Sequence, residues 1–110
     1  MQELSKVFKA LSDRNRLEIF ILLSRRTLCV KALVNCFGIS QPAVSQHLRV
    51  LREAGLVSAE KRGYWMHYSA NKEKVEQFIR NFNELLGGER YVQKDKQKGV
   101  RISGKVKGKA

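Results

Sequence analysis

Apolar positions along this chain follow a helical spacing, change briefly to the spacing of short strands, and then return to it. Leu4, Val7, Phe8 and Leu11 stand three and four residues apart and predict a short first helix ending near Leu11-Ser12-Asp13. Ser12 or Asp13 can then cap a second helix, expected over residues 14–25. The centre of that segment runs apolar from Ile19 to Leu23 and would suit a buried strand equally well, but its length and capped start favour a helix. Thr27 is placed to cap a third helix from Leu28 to Phe37, and Gly38 is the residue type that best accepts the left-handed turn after it.

Ser40 follows as the expected cap of a fourth helix, with Pro42 in the first turn, where its missing N–H costs nothing. At 100° per residue Ala43, Val44, Leu48, Val50, Leu51 and Ala54 share one side of this helix. Gln41, Ser45, Gln46, Arg49 and Arg52 share the other. Beyond Gly55, Leu56–Lys61 and Tyr64–Ser69 read as two short strands joined by a tight turn at Arg62-Gly63. A fifth helix starting near Asn71 carries the stripe Val75, Phe78, Ile79, Phe82, Leu85 and Leu86. The expected architecture is mainly α with a small β-hairpin wing, a winged helix-turn-helix of four helices, a hairpin and a fifth helix. The last stripe is wider than so small a body can cover, which predicts a homodimer through the first and fifth helices, using Leu4, Val7, Phe8, Val75, Phe78, Ile79, Phe82 and Leu85.

Composition adds a sign. Lys and Arg number 22 against 10 acidic residues, a net charge of +12, which favours a polyanionic partner. The excess divides evenly: 14 basic and 8 acidic residues lie in 1–87, and 8 basic and 2 acidic residues in 88–110. The second stretch, with isolated Val and Ile and no apolar period, reads as a disordered basic tail following a single folded domain over residues 1–87. The amino terminus has no apolar signal region and no run approaches the roughly 20 apolar residues that cross a bilayer, so a soluble cytoplasmic protein with no membrane partner is expected. Two cysteines are too few for a disulfide framework.

The outer face of the fourth helix decides among partners. Gln can bridge adenine N6 and N7, Arg can bridge guanine O6 and N7, and Ser can reach a base or a phosphate, all inside a major groove that admits a helix. A short helix, a turn with Gly and then this face has the layout of a helix-turn-helix reader of double-stranded DNA. The following hairpin places Lys61 and Arg62 beside the duplex backbone or minor groove. Ser40, Gln41, Ser45, Gln46, Arg49, Arg52, Lys61 and Arg62 are the candidate DNA contacts. Trp65 and Tyr68 are read as packing residues of the second strand. An enzyme has no evident residues here: no phosphate loop, no nucleophile elbow and no acid pair in an apolar setting. Sequence-independent packaging of nucleic acid suits the tail but not a polar face stocked with base-reading side chains.

Residues from Phe8 to Asn71, with "ALSD", "RL", "GISQPAVSQHL" and "LREAGLV" in that order, resemble the ArsR/SmtB family of prokaryotic winged-helix repressors. The resemblance implies a dimer bound to an operator and released by an inducer, with Gln41, Ser45 and Gln46 at positions that touch DNA. Arg14 stands where the family commonly opens the second helix with proline. The arsenic-responsive members have "ELCVCDL" where this chain reads "TLCVKAL", so Cys29 is kept and Lys31 replaces the second thiolate. A second family site uses Asp and His on the last helix, and residues 71–87 contain neither. No metal and no cofactor are expected.

Cys29 and Cys36, taken on one helix, are separated by a rise of about 10.5 Å, too far for an intrachain disulfide or one shared thiophilic ion. Cys29 near a helix start with Lys31 close by is a candidate thiol sensor, with Cys36 a weaker one. The reading as small buried hydrophobes is favoured for both. A small-molecule or thiol-reactive effector remains the expected inducer class. His47 and His67 lack an acidic or thiol partner at ligand spacing and are read as packing or hydrogen-bonding residues.

The tail yields the first prediction. Each phosphate contact made by its Lys and Arg adds about 0.9 to the slope of log affinity against log salt. Truncation after Gly88 is expected to flatten that slope and to lower affinity for cognate and random DNA alike. Salt titrations of both chain lengths check this, and coincident slopes would exclude phosphate contact by the tail.

Overall fold

The structure is a computed structural model and describes residues 2–87, so the predicted basic tail lies outside the described residues. The described residues divide into two units, the first ending at Phe78 and the second beginning at Ile79. The elements in chain order are α1 (Gln2–Ala10), α2 (Arg14–Leu23), β1 (Leu28–Cys29), α3 (Val30–Phe37), α4 (Gln41–Glu53), β2 (Val57–Arg62), β3 (Trp65–Ala70) and α5 (Lys72–Leu85). The expected winged helix-turn-helix is present, with one strand more than the hairpin alone. The division between units falls within α5.

In the first unit each helix begins and ends where the local chemistry directs it. Asp13 caps α2 by accepting from the Arg16 backbone amide at 2.9 Å, while the Ser12 hydroxyl turns back to the Lys9 carbonyl. Gly38 closes α3 in the left-handed region at φ +64°. Ser40 caps α4 through the Ala43 amide at 3.2 Å. Asn71 accepts from the Lys74 amide at the start of α5. In the second unit the described part is the end of α5 and a closing turn, where the Leu86 and Gly87 amides donate to the Phe82 and Glu84 carbonyls.

Val7 and Ala10 of α1, Ile19 and Leu23 of α2, Leu33 of α3 and Val44, Leu48 and Leu51 of α4 meet in one core. Leu56 and Val57 carry it to the sheet. The apolar run at the centre of α2 is helical because only two of its residues need complete burial, while Ile21 stays 42% exposed. Among the described residues no helix is long and apolar enough to cross a membrane.

Three boundaries differ from the sequence reading. Leu28 and Cys29 do not open α3; they pair as β1 with Tyr68 and His67, giving an antiparallel sheet in the order β1-β3-β2. Thr27 is therefore not the cap. Cys29 holds that position in extended backbone, with no side-chain capping bond, because the ladder to β3 fixes its conformation. The wing strands are each displaced by one residue: Arg62 pairs with Trp65, and the two-residue turn is Gly63-Tyr64. Gly63 at φ +65°, with no non-glycine residue at positive φ among the described residues, suits a turn that demands glycine first. Finally, α2 stops at Leu23 rather than Arg25.

The two sides of α4 should respond differently to truncation. Leu51→Ala is expected to cost about 2–5 kcal/mol because the side chain is fully buried. Gln46→Ala, on the exposed side, is expected within about 0.5 kcal/mol of the parent. Urea unfolding of both variants measures the difference, and equal midpoints would contradict the burial described.

Candidate nucleic-acid interface

The burial of Val44, Leu48 and Leu51 fixes the rotation of α4, so Gln41, Ser45, Gln46, Arg49 and Arg52 are all exposed together on its opposite side. Ser40 is exposed at the amino end; its oxygen is engaged in the cap, and its O–H stays able to donate. Arg49 lies 3.4 Å from Glu53 in a solvent-exposed pair one turn apart. Such a pair contributes little, so the guanidinium is readily redirected to another anion. Arg52 has no ion-pair partner among the described residues. A cavity of about 530 Å³ between α4 and β3 is lined by Ser45, Leu48, Arg49, Arg52, Glu53 and Tyr68.

At the wing, Lys61 and Arg62 are exposed, with Arg62 held loosely to Glu60 at 3.3 Å. Trp65 corrects the sequence reading: it is 59% exposed rather than packed, while Tyr68 does pack against the core. The reason is the length of β1, which covers β3 only at Tyr68 and His67 and leaves the outer half of that strand without a neighbour on that side. Trp65 and Met66 instead line a second cavity of about 410 Å³ with Cys29, Val30, Lys31, Val34 and Gln41. An aromatic residue beside the first polar residue of α4 was not legible from residue spacing.

The thiols are free and are not on one helix, contrary to expectation: Cys29 is half-buried in β1 and Cys36 is exposed on α3. Exposure of Cys36 removes the reading of it as a buried hydrophobe. His67 faces Cys29 across the β1–β3 ladder, and its Nδ1 is buried without a hydrogen-bond partner among the described residues. Among those residues no three His, Cys, Asp or Glu side chains come together at metal-binding distance.

His47 has partners that spacing did not reveal. Its Nδ1 lies 3.3 Å from Arg16 Nη1, and its Nε2 lies 3.9 Å from Asp13 Oδ2. The Arg16 backbone amide holds the Asp13 carboxyl below its ordinary range, against a smaller opposing effect of burial, with His47 and Arg16 adding attraction.

The residues expected at a dimer interface are distributed unequally. Val7, 4% exposed, belongs to the core; Leu4 is half-buried. Val75 and Phe78 pack on the core, and Phe78 meets Phe8 edge to face at 5.2 Å. Phe8 nonetheless keeps 45% of its surface exposed. In the second unit Ile79, Phe82, Leu85 and Leu86 are exposed, Ile79 by 57% and Leu85 by 55%.

Comparison with known proteins accords with this geometry. Residues 13–59 match the family described as bacterial regulatory protein, arsR family, a span running from the cap of α2 into β2. The chain is 38% identical over 76 residues to an arsenical resistance operon repressor of Bacillus subtilis strain 168, covering 68% of this chain and 72% of that protein. It is 40% identical over 82 residues to an arsenical resistance operon repressor of Staphylococcus aureus, covering 74% and 79%. Among solved structures, an ArsR-like transcriptional regulator from Rhodococcus sp. RHA1 superposes with a TM-score of 0.73 at 32% identity, covering 92% of this chain and 96% of that one. With the winged helix-turn-helix in place and relatives of this identity and coverage, the chain belongs to the arsR family of bacterial regulatory proteins.

Proposed function

We propose that this protein is a sequence-specific DNA-binding repressor that acts as a homodimer on an operator near its own gene and is released by a small effector. The observation that carries the reading is the exposed row Gln41, Ser45, Gln46, Arg49 and Arg52 on a helix whose other side is locked into the core. These side chains supply the donors and acceptors that base edges require in the major groove. Ser40 at the helix start and Lys61 and Arg62 on the wing are assigned to the sugar-phosphate backbone. The role is one of binding rather than catalysis. Sequence-independent packaging is disfavoured because it has no use for Gln and Ser on that face.

The relatives named above are repressors of arsenical resistance operons, but this chain has Lys31 where the resemblance calls for a second thiolate. The effector is therefore assigned only to the class of small or thiol-reactive molecules, with Cys29 the better placed of the two thiols beside Gln41 and Trp65.

For the dimer, the exposed apolar side chains of α5 support assembly: Ile79 and Leu85 lie open to water, a poor arrangement for a lone chain. Val7, inside the core, is omitted from the surface that a partner would cover. Phe78 is a poor site for a test because its replacement would also disturb the core. Ile79→Glu is expected to give monomers at micromolar concentration by sedimentation, and an unchanged dimer mass would sink this assignment.

The reading side and the wing should fail differently. Gln41→Ala or Ser45→Ala is expected to cost about 1–3 kcal/mol on the cognate site and little on random DNA. Arg62→Ala is expected to weaken both. Binding to DNA upstream of the gene is compared with binding to scrambled DNA at matched salt, where a repressor prefers the first by roughly a thousandfold or more. Equal affinities in the parent protein would favour packaging instead.

A further inference from the structure

Arg16 joins three parts of the first unit through its one side chain and its amide. Its Nε donates to the carbonyl of Ala10, the last residue of α1, at 2.6 Å. Its backbone N–H donates to Asp13 Oδ2 at 2.9 Å, and its Nη1 lies 3.3 Å from Nδ1 of His47, in the middle of α4. A guanidinium has donors only, so Nδ1 of His47 must be the acceptor and the proton of the neutral ring must sit on Nε2. That nitrogen is the one 3.9 Å from the Asp13 carboxylate. The imidazole is thus held between a carboxylate at one nitrogen and a guanidinium at the other, with only 15% of the side chain exposed.

We propose that Arg16 is a positioning residue for DNA reading: it grips the unprotonated Nδ1 of His47 and so sets the axial register of α4, within the rotation that apolar burial imposes, and a second proton on His47 releases that grip. The inference rests on the reading of α4 as the DNA-reading helix. Its physical basis is direction. Apolar burial between α2 and α4 is roughly proportional to area and tolerates sliding. A guanidinium anchored on a fixed carbonyl does not, because its planar donors meet an acceptor in only a few orientations. His47 directly follows Gln46, two residues beyond Ser45, so displacement of the ring is passed to the side chains that face outward.

Protonation of Nδ1 would set N–H against N–H, and positive charge against positive charge, at 3.3 Å. Asp13, near the other nitrogen, offsets part of that repulsion and remains ionised throughout, since its carboxyl is held below the ordinary carboxylate range. Of the other elements packed on α4, α3 carries Lys31 and β2 carries Glu60, Lys61 and Arg62, and none of these pairs with the ring. Arg49 on α4 itself is engaged with Glu53. The link is therefore present while Nδ1 is unprotonated and is lost when that nitrogen takes a proton.

The test uses the full chain, a duplex spanning the DNA upstream of its own gene, and a scrambled duplex of the same length, at about pH 8 and about pH 5.5, the interval of imidazole titration. The parent protein is expected to lose about tenfold of its preference for the first duplex at the lower pH, the scale of one hydrogen bond to a charged group. Arg16→Gln should show the reduced preference at both pH values. His47→Asn places an amide oxygen near the position of Nδ1 and cannot take the proton, so it should keep its preference at the lower pH. Arg16→Gln with the parent's preference, or His47→Asn with the parent's full pH dependence, overturns the proposal. Nitrogen chemical shifts of the His47 ring decide the matter without a variant: a proton on Nδ1 at about pH 8 excludes the grip described. Absence of any preference in the parent at that pH would instead remove the DNA-reading assignment on which the proposal stands.

Discussion

Val44, Leu48 and Leu51 leave α4 with its inner side almost wholly withdrawn from water, and the rotation this imposes is the constraint on which the remaining structure depends. Turning the helix by one residue would carry Ser45 and Arg49 toward the core, where a polar group without a partner costs several times what an apolar contact gains. The outward direction of Gln41, Ser45 and Gln46 is therefore set by residues that touch no partner. Ser40 and Pro42 start the helix and Gly55, at φ +78°, carries the chain out of it, so the exposed row has defined ends as well as a defined rotation.

Elements whose signal is local and repeated were legible in the sequence. The α4 helix repeats its apolar side over thirteen residues and carries its own cap; Gly38 and Gly63 mark backbone that only glycine adopts freely. β1 was not legible, because two residues cannot display a period and their extended conformation comes from β3, distant in sequence. The one-residue displacement of the wing has a similar origin: the turn begins with glycine rather than ending with it, a choice made by the twist of paired strands. Trp65 followed the general tendency of strand aromatics to pack, and departs from it because the covering strand stops short. The contact of Asp13 and Arg16 with His47 required the packing of two helices before any part of it could be seen.

The span that matches the family, residues 13–59, covers α2 through α4 and enters the wing. Outside it lie α1, the end of β2, all of β3 and α5, with most of the large exposed apolar side chains, although Leu17 and Ile21 of α2 are exposed within it. Lys31 lies within the matched span and still departs from what the resemblance implies, so a residue near a thiol can change while the helices around it stay in place.

The order β1-β3-β2 also governs how the molecule behaves in a crowd of its own copies. A sheet edge with free amides and carbonyls is a template for another strand. Here one edge is a strand of two residues, and the other, β2, presents Glu60, Lys61 and Arg62 in succession to solvent. A second copy approaching along β2 would have to strip these charged side chains of water. Growth along β2 is thereby discouraged, whereas the outer half of β3, which β1 does not reach, keeps backbone groups open to a further strand.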